Sequence, residues 1–216
     1  MLENSDEAPV NWRMDQAESK VREFILGLDP DFVFFQELPG LVPYVETHDL
    51  ILANTVSHSG NIATIVRKEL MDDLDSVVVG KFAVMTTINS AGITLANVHL
   101  APGSNGDHKR ADMVKRLIRE SPTSALAIVG DTNTRVSEEA SFKSIGLSGE
   151  RPPKATWNSK TNRFRKGGRK YTAFYSRYFH TEQLKVTNAE VWNAPIEEGG
   201  KSFYLSDHFA ISGKVT

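Results

Sequence analysis

Asp131 and Asn133 stand two residues apart in Ile128-Val129-Gly130-Asp131-Thr132-Asn133-Thr134-Arg135, where an apolar run ends in glycine and hands an acid, an amide and a guanidinium to a loop. Held in one turn, the acid can take a proton from water while the amide holds the reacting group. Arg135 carries the forked donor set that fits phosphate oxygens better than lysine would. Read alone, Gly-Asp-Thr-Asn is also what a turn after a buried strand looks like, since glycine, aspartate and asparagine are the commonest turn formers. Its company changes the reading. Gln36-Glu37 closes another apolar run, His99 closes a third, and Ser206-Asp207-His208 precedes a fourth. Strand ends that deliver polar groups to loops are where binding and catalysis concentrate.

Hard divalent cations such as Mg²⁺ take oxygen ligands, often one or two carboxylates with waters and substrate phosphates. A chain without cysteine, with isolated acids at strand ends, suits that ion better than zinc. Glu37 is the leading candidate ligand; the plainer reading is a solvated residue in the turn before Pro39. His99 leads into Ala101-Pro102-Gly103-Ser104-Asn105-Gly106, a loop whose glycines let a phosphate approach the backbone. A lone histidine there is ordinarily a hydrogen-bonded structural residue. His208 is the sharper candidate, because an imidazole just before a strand can donate to a phosphoryl oxygen and stabilise charge that builds in a transition state. From Lys160 to Arg177 the chain carries Lys160, Arg163, Arg165, Lys166, Arg169, Lys170 and Arg177 with no acid among them. A basic run is usually a solvated face. Here Trp157, Phe164 and Tyr171 are interleaved, as stacking platforms beside a backbone-tracking charge would be, which points to a polynucleotide.

These groups need strands and helices to bring them together. Ala17, Val21, Phe24, Ile25 and Leu28 recur at helical spacing and predict an amphipathic helix from Asp15 to Leu28, stopped by Asp29-Pro30. Phe32-Val33-Phe34-Phe35 then reads as a strand buried on both faces. Strands are expected over Asn61–Arg67, Val77–Val79, Lys81–Ile88 and Gly92–Leu100, with a hairpin turn at Asn89-Ser90-Ala91-Gly92. A helix is expected from Asp107 to Arg119, ended by Ser121-Pro122, and a strand over Ala125–Val129. Residues 147–170 read as a long functional loop. Phe174–Phe179, Lys185–Trp192 and Phe209–Val215 are the remaining expected strands.

With 216 residues, 40% of them hydrophobic and 24% charged, the chain is expected to fold as a single domain, residues 1–216, of ordinary globular composition. The net charge of −2 says little about partners, because a local basic patch can sit inside a near-neutral total. The absence of cysteine excludes disulfides, thiolate metal sites and cysteine nucleophiles. No apolar stretch is long enough to span a bilayer. The acidic, polar first residues resemble neither a signal peptide nor a transit sequence, so a cytoplasmic or nuclear monomer without membrane contact is expected.

Taken in order, Gln36-Glu37, His99 with Arg110 in the following helix, Gly130-Asp131-x-Asn133 and Ser206-Asp207-His208 resemble the endonuclease/exonuclease/phosphatase superfamily. The resemblance spans Phe32 to Gly213. Gly130–Arg135 together with Ala155-Thr156-Trp157-Asn158 is similar to the tyrosyl-DNA phosphodiesterase 2 branch. The resemblance implies an α/β fold, the two-sheet, four-layered DNase I-like sandwich, and hydrolysis of a phosphodiester with Mg²⁺, or Mn²⁺ in its place. The substrate it implies is nucleic acid, DNA before RNA. In that frame Glu37 holds the metal, Asp131 activates water, Asn133 positions it, and His99 and His208 stabilise the phosphoryl group. Asp207 supports the metal region, while Asn61, Arg110, Arg135 and Trp157 contact substrate.

Two departures from the family pattern bear on activity. Members usually begin with a strand ending in Trp-Asn, and no such strand precedes the first helix; neither Asn4 nor Asn11 is an assured substitute. Relatives also carry an aspartate that orients the catalytic histidine, where Thr172 is expected here. A neutral hydroxyl there would stabilise the imidazolium less than an aspartate. The same groups would also suit a phosphomonoesterase or lipid phosphatase, and the departures would suit a non-catalytic nucleic-acid-binding member.

Overall fold

The computed structural model describes residues 14–38, 43–56, 60–160 and 170–216. Helix α1 (Met14–Leu28) is followed by strands β1 (Phe32–Leu38), β2 (His48–Val56) and β3 (Gly60–Arg67). Next come β4 (Leu74–Val79), β5 (Ala83–Ile88), β6 (Ile93–His99), helix α2 (Asp107–Glu120) and β7 (Ala125–Asp131). A short helix α3 (Glu139–Ser144) leads to β8 (Ser148–Glu150), β9 (Trp157–Asn158), β10 (Thr172–Ala173) and β11 (Ser176–His180). The chain closes with β12 (Val186–Trp192), β13 (Ile196–Glu198), β14 (Lys201–Phe203) and β15 (Ala210–Val215).

One side of the sandwich is a six-stranded sheet in the order β4-β5-β6-β7-β11-β8. The other comprises a three-stranded sheet, β1-β3-β2, and the pair β12-β15. Period-two alternation assigns each strand's side chains to a face. Ala96, Val98, Leu126, Ile128 and Phe179 pack with Val114 and Leu117 of α2, forming the outer core. Leu95 and Ala127 point the other way, against Phe32 and Phe34 of β1, and Val129 and Tyr178 join Phe34, Ile211 and Val215. On the far side Ile25 of α1 packs with Val33, Phe35, Val45 and Ile65. Helix, sheet, sheet and helix make the expected four layers.

The predicted elements are present; β1, β3, β4 and β7 run longer than their sequence signals, and β5, β6, β11, β12 and β15 are shorter. The helices occupy the expected segments, and the hairpin closes through Gly92 N–H donating to the Ile88 carbonyl at 2.9 Å. Gly92 has a φ of 64°, which glycine adopts without penalty. Strand β7 runs on through Gly130 to Asp131, so the acid is a strand residue and not part of a turn. Within the expected 147–170 loop, the described parts hold β8 and β9; residues 161–169, with Arg163, Phe164, Arg165, Lys166 and Arg169, lie outside the described residues, as do Asn4 and Asn11.

Strand β1 departs from expectation. It was expected to be buried on both faces, yet every residue from Phe32 to Leu38 is only half-buried. Its described ladder runs to β3 alone, and β15 is paired with β12 alone. Among the described residues β1 therefore stands at the edge of its sheet, and no strand joins it to β15.

Candidate functional site

Counting by twos along the inner face of the large sheet leads to one end. Leu95, Asn97 and His99 face the opposing sheet on β6, and Ala127, Val129 and Asp131 do so on β7. Strands β6 and β7 are parallel and in register, with His99 opposite Asp131. Antiparallel β11 places Ser176 opposite Asp131 from the other side. Three neighbouring strands thus deliver a histidine, an acid and a hydroxyl to one spot.

The facing sheet contributes Glu37. Its carboxylate lies 3.6 Å from His99 Nε2, which is also 3.6 Å from Asp131 Oδ2. His208 Nε2 approaches the same Asp131 oxygen at 3.9 Å. Asn133, at a φ of 50°, folds back over Asp131: its backbone N–H donates to Asp131 Oδ1 at 3.0 Å and its Nδ2 donates to Oδ2 at 3.0 Å. The same amide donates to the Leu100 carbonyl at 3.1 Å, so Asn133 fixes the acid to the end of β6. His99 and Asp131 are nearly enclosed, whereas Glu37 and His208 are partly open to solvent. Asn61 stands opposite Leu38 in the β1–β3 ladder, one residue past Glu37.

Burial raises the Glu37 carboxyl above its ordinary range; neighbouring His99 opposes this, and the negative charges of Asp207 and Asp131 add to it. The charges of Asp207 and Asp131 thus add to the burial of Glu37, and three carboxylates share one region. A divalent cation with oxygen ligands would relieve the repulsion between them, so the chemistry of this donor set fits a hard metal ion. Among the described residues no cluster of three or more side chains has metal-binding geometry by itself. Such ions commonly complete their shell with water and substrate oxygens.

Several expected roles need correction. Arg110 is wholly buried: Nε and Nη2 bind Glu138 at 2.7 and 2.6 Å, and Nη1 donates to the carbonyls of Ala101 at 2.6 Å and Gly103 at 3.1 Å. It shapes the loop after His99 and has no surface to offer a substrate. Arg135 is partly exposed, and its Nη1 donates to Gly103 O at 2.7 Å, beside that loop. Trp157 is 6% exposed, so it cannot be an open stacking platform. It is covered by Tyr171 and Tyr175, with ring centroids 4.8 and 5.8 Å away. Arg177, counted in the basic run, is buried against Glu139 at 2.6 Å. Lys160, Lys170 and Tyr171 stay exposed.

Thr172 is not the histidine's partner. It lies exposed in β10, opposite Asn158, while Ser176 Oγ sits 3.1 Å from His208 Nδ1. The hydroxyl that meets the imidazole is that of Ser176, at the start of β11. Period two supplies the missed signal, since counting back from the buried Tyr178 puts Ser176 on the same face. Tyr175 was also missed. Burial and a hydrogen bond with Tyr171 push its phenol up to about 12, so it remains a neutral donor, and its ring lies 6.2 Å from that of His208.

The sequence matches no protein-family model and no curated protein. Solved structures do match. D. rerio TDP2, complexed with single-strand DNA product, gives a TM-score of 0.69 at 18% identity, covering 96% of this chain and 94% of that one. A mannosyl-6-phosphatase of Bacteroides thetaiotaomicron VPI-5482 gives 0.67 at 16% identity, with 94% and 91% covered. An endonuclease/exonuclease/phosphatase from Bacteroides vulgatus gives 0.61 at 14% identity, with 94% and 90% covered. At such identities the likeness is one of fold.

Proposed function

From a chain that has the DNase I-like fold of the endonuclease/exonuclease/phosphatase superfamily, we propose a metal-dependent phosphodiester hydrolase that acts on nucleic acid, DNA or a DNA 5′ end in the first place. The observation that carries this reading is the chain of contacts at the end of the packed sheets, Glu37 to His99 and His99 to Asp131 at 3.6 Å and Asp131 to His208 at 3.9 Å.

Glu37, with Asp207 near it, would hold Mg²⁺ or Mn²⁺. Bound there, such an ion supplies positive charge against the phosphate and the leaving oxygen. The chain's own groups do the rest. Asp131, held by both nitrogens of Asn133, accepts the proton of the attacking water. His99 and His208 present Nε2 toward the same acid and can donate to phosphoryl oxygens as negative charge gathers there. Ser176 fixes the His208 ring through Nδ1. Ser176→Ala is therefore expected to lower kcat/KM about tenfold, the scale of a lost orienting partner, with the unfolding midpoint little changed. Steady-state kinetics beside a urea titration checks it.

A second reading has support of its own. Three groups expected to meet a polynucleotide, Arg110, Trp157 and Arg177, are buried, which among the described residues of that set leaves Asn61, Arg135, Lys160, Lys170 and Tyr171. A smaller phosphate monoester would need fewer contacts, and a mannosyl-6-phosphatase shares the fold. One assay separates the readings. The protein is incubated with Mg²⁺ and either 5′-phosphotyrosyl DNA, abasic DNA, an unmodified strand, an inositol phosphate or a sugar phosphate, each with an EDTA control. Cleavage of DNA that EDTA abolishes is expected. Turnover of the small esters alone would select the second reading, and DNA binding without turnover would remove the enzymatic one.

A further inference from the structure

Gln36 and Glu37 are adjacent on β1, so in a regular strand their side chains would leave opposite faces. Phe32 and Phe34 face the large sheet, which sends Gln36 the same way, while Val33 and Phe35 face α1 and would take Glu37 with them. Yet Glu37 reaches His99 at 3.6 Å. The ladder explains how. Its register with β3 shifts between Phe35 and Leu38, and Glu37 takes a φ of 56°, a left-handed conformation that non-glycine residues adopt only when their surroundings hold them there. A bulge of this kind re-aims a side chain.

What holds it is a wholly buried amide. Asn97 Nδ2 donates to the Ala63 carbonyl at 2.8 Å, with the Phe35 carbonyl at 3.3 Å and Thr64 Oγ1 at 3.2 Å, so it serves backbone on both strands that flank the irregularity. Its Oδ1 accepts from Gln36 Nε2 at 2.6 Å. Room for that contact comes from Gly130: a Cβ there would lie 3.0 Å from Gln36 Nε2 and 2.4 Å from the Val98 carbonyl, and the φ of 131° is one side chains rarely adopt. One residue from β1, one from β6 and one from β7 thus lock the two sheets together beside the site.

We infer that the Gln36–Asn97 amide pair is the positioning device of the site: it pins the β1 bulge between the two sheets and thereby turns the Glu37 carboxylate into the pocket. The inference rests on the reading of Glu37 as a metal ligand. Neither amide touches the reacting atoms.

The test uses the whole chain. Gln36→Met keeps length and removes the donor; Gln36→Asn, one methylene shorter, withdraws the amide from Asn97 and keeps a polar group should the first variant fail to fold. Thr87→Val, which removes a buried hydroxyl contact of 3.1 Å with Thr94 on the same large sheet, controls for general loss of stability. Hydrogen–deuterium exchange across residues 35–38 is measured without metal, and Mn²⁺ affinity by electron paramagnetic resonance. Either Gln36 variant is expected to speed exchange at Glu37 and Leu38 and to weaken Mn²⁺ binding by about 10–100-fold, the range found for groups that orient metal ligands. Thr87→Val should change neither, and saturating Mn²⁺ should restore turnover to the Gln36 variants. Unchanged exchange in a folded variant overturns the clamp, and faster exchange with unaltered Mn²⁺ affinity overturns its role in positioning. If the unaltered protein binds no Mn²⁺, the metal reading fails, while the exchange measurement still decides the clamp.

Discussion

Asp131→Asn lowers turnover by roughly two orders of magnitude or more, the scale of a lost general base. The substitution removes the acceptor of the water's proton while leaving a side chain of nearly the same shape. It also alters the hydrogen bonding around it. Both carboxylate oxygens accept from Asn133, one from its backbone and one from its amide, so an asparagine at 131 must face one of these donors with a donor of its own. Some loss of stability accompanies the kinetic defect, on the order of 1 to 3 kcal/mol for an unsatisfied buried group. Single-turnover kinetics at saturating substrate, on protein shown to be folded by circular dichroism, isolates the chemical step. Near-normal turnover would remove Asp131 from the proton transfer.

The largest effect on stability is expected at Arg110. Arg110→Met keeps the aliphatic bulk but strands the Glu138 carboxylate in a buried position, and breaking such a pair costs about 3 to 5 kcal/mol. Two carbonyls of the loop after His99 lose their donor in the same step. The double variant Arg110→Met/Glu138→Leu should recover most of that loss, because the cost lies in the orphaned charge more than in the missing attraction. Urea midpoints of the two variants give the comparison. This outcome separates the present role of Arg110 from substrate contact, which predicts weakened KM with stability unchanged.

The chemistry-bearing ends of the strands were legible because polar residues interrupt apolar runs there. Glu37, His99, Asp131 and His208 could each be singled out from neighbours alone, and three contiguous strands collect two of them with Ser176. The partners were not legible. Whether Arg110 reaches solvent depends on Glu138, which lies on the far side of β7 in the sequence and carries no local mark of being buried. Trp157 looked like an open ring because its segment is rich in glycine and cations; its cover comes from Tyr171 and Tyr175, which stand on either side of β10. The partner of His208 was sought near Thr172, four positions early, since local composition does not say where β11 begins. The turning of Glu37 was equally hidden, for a strand pattern gives strict alternation and a bulge breaks it.

His99 and Asp131 stand level because β6 and β7 run in the same direction, and parallel strands must be joined by a crossover, here residues 100–124 with α2 inside it. The crossover starts beside His99 and Asp131 but re-enters the sheet at Ala125, at the other end of β7. Extra residues spliced in at Ser121–Ser124 would lengthen the return path without changing the rung on which histidine and acid meet. That corner is thus a natural place to attach a tag, a reporter or a second protein while leaving the pocket as it is.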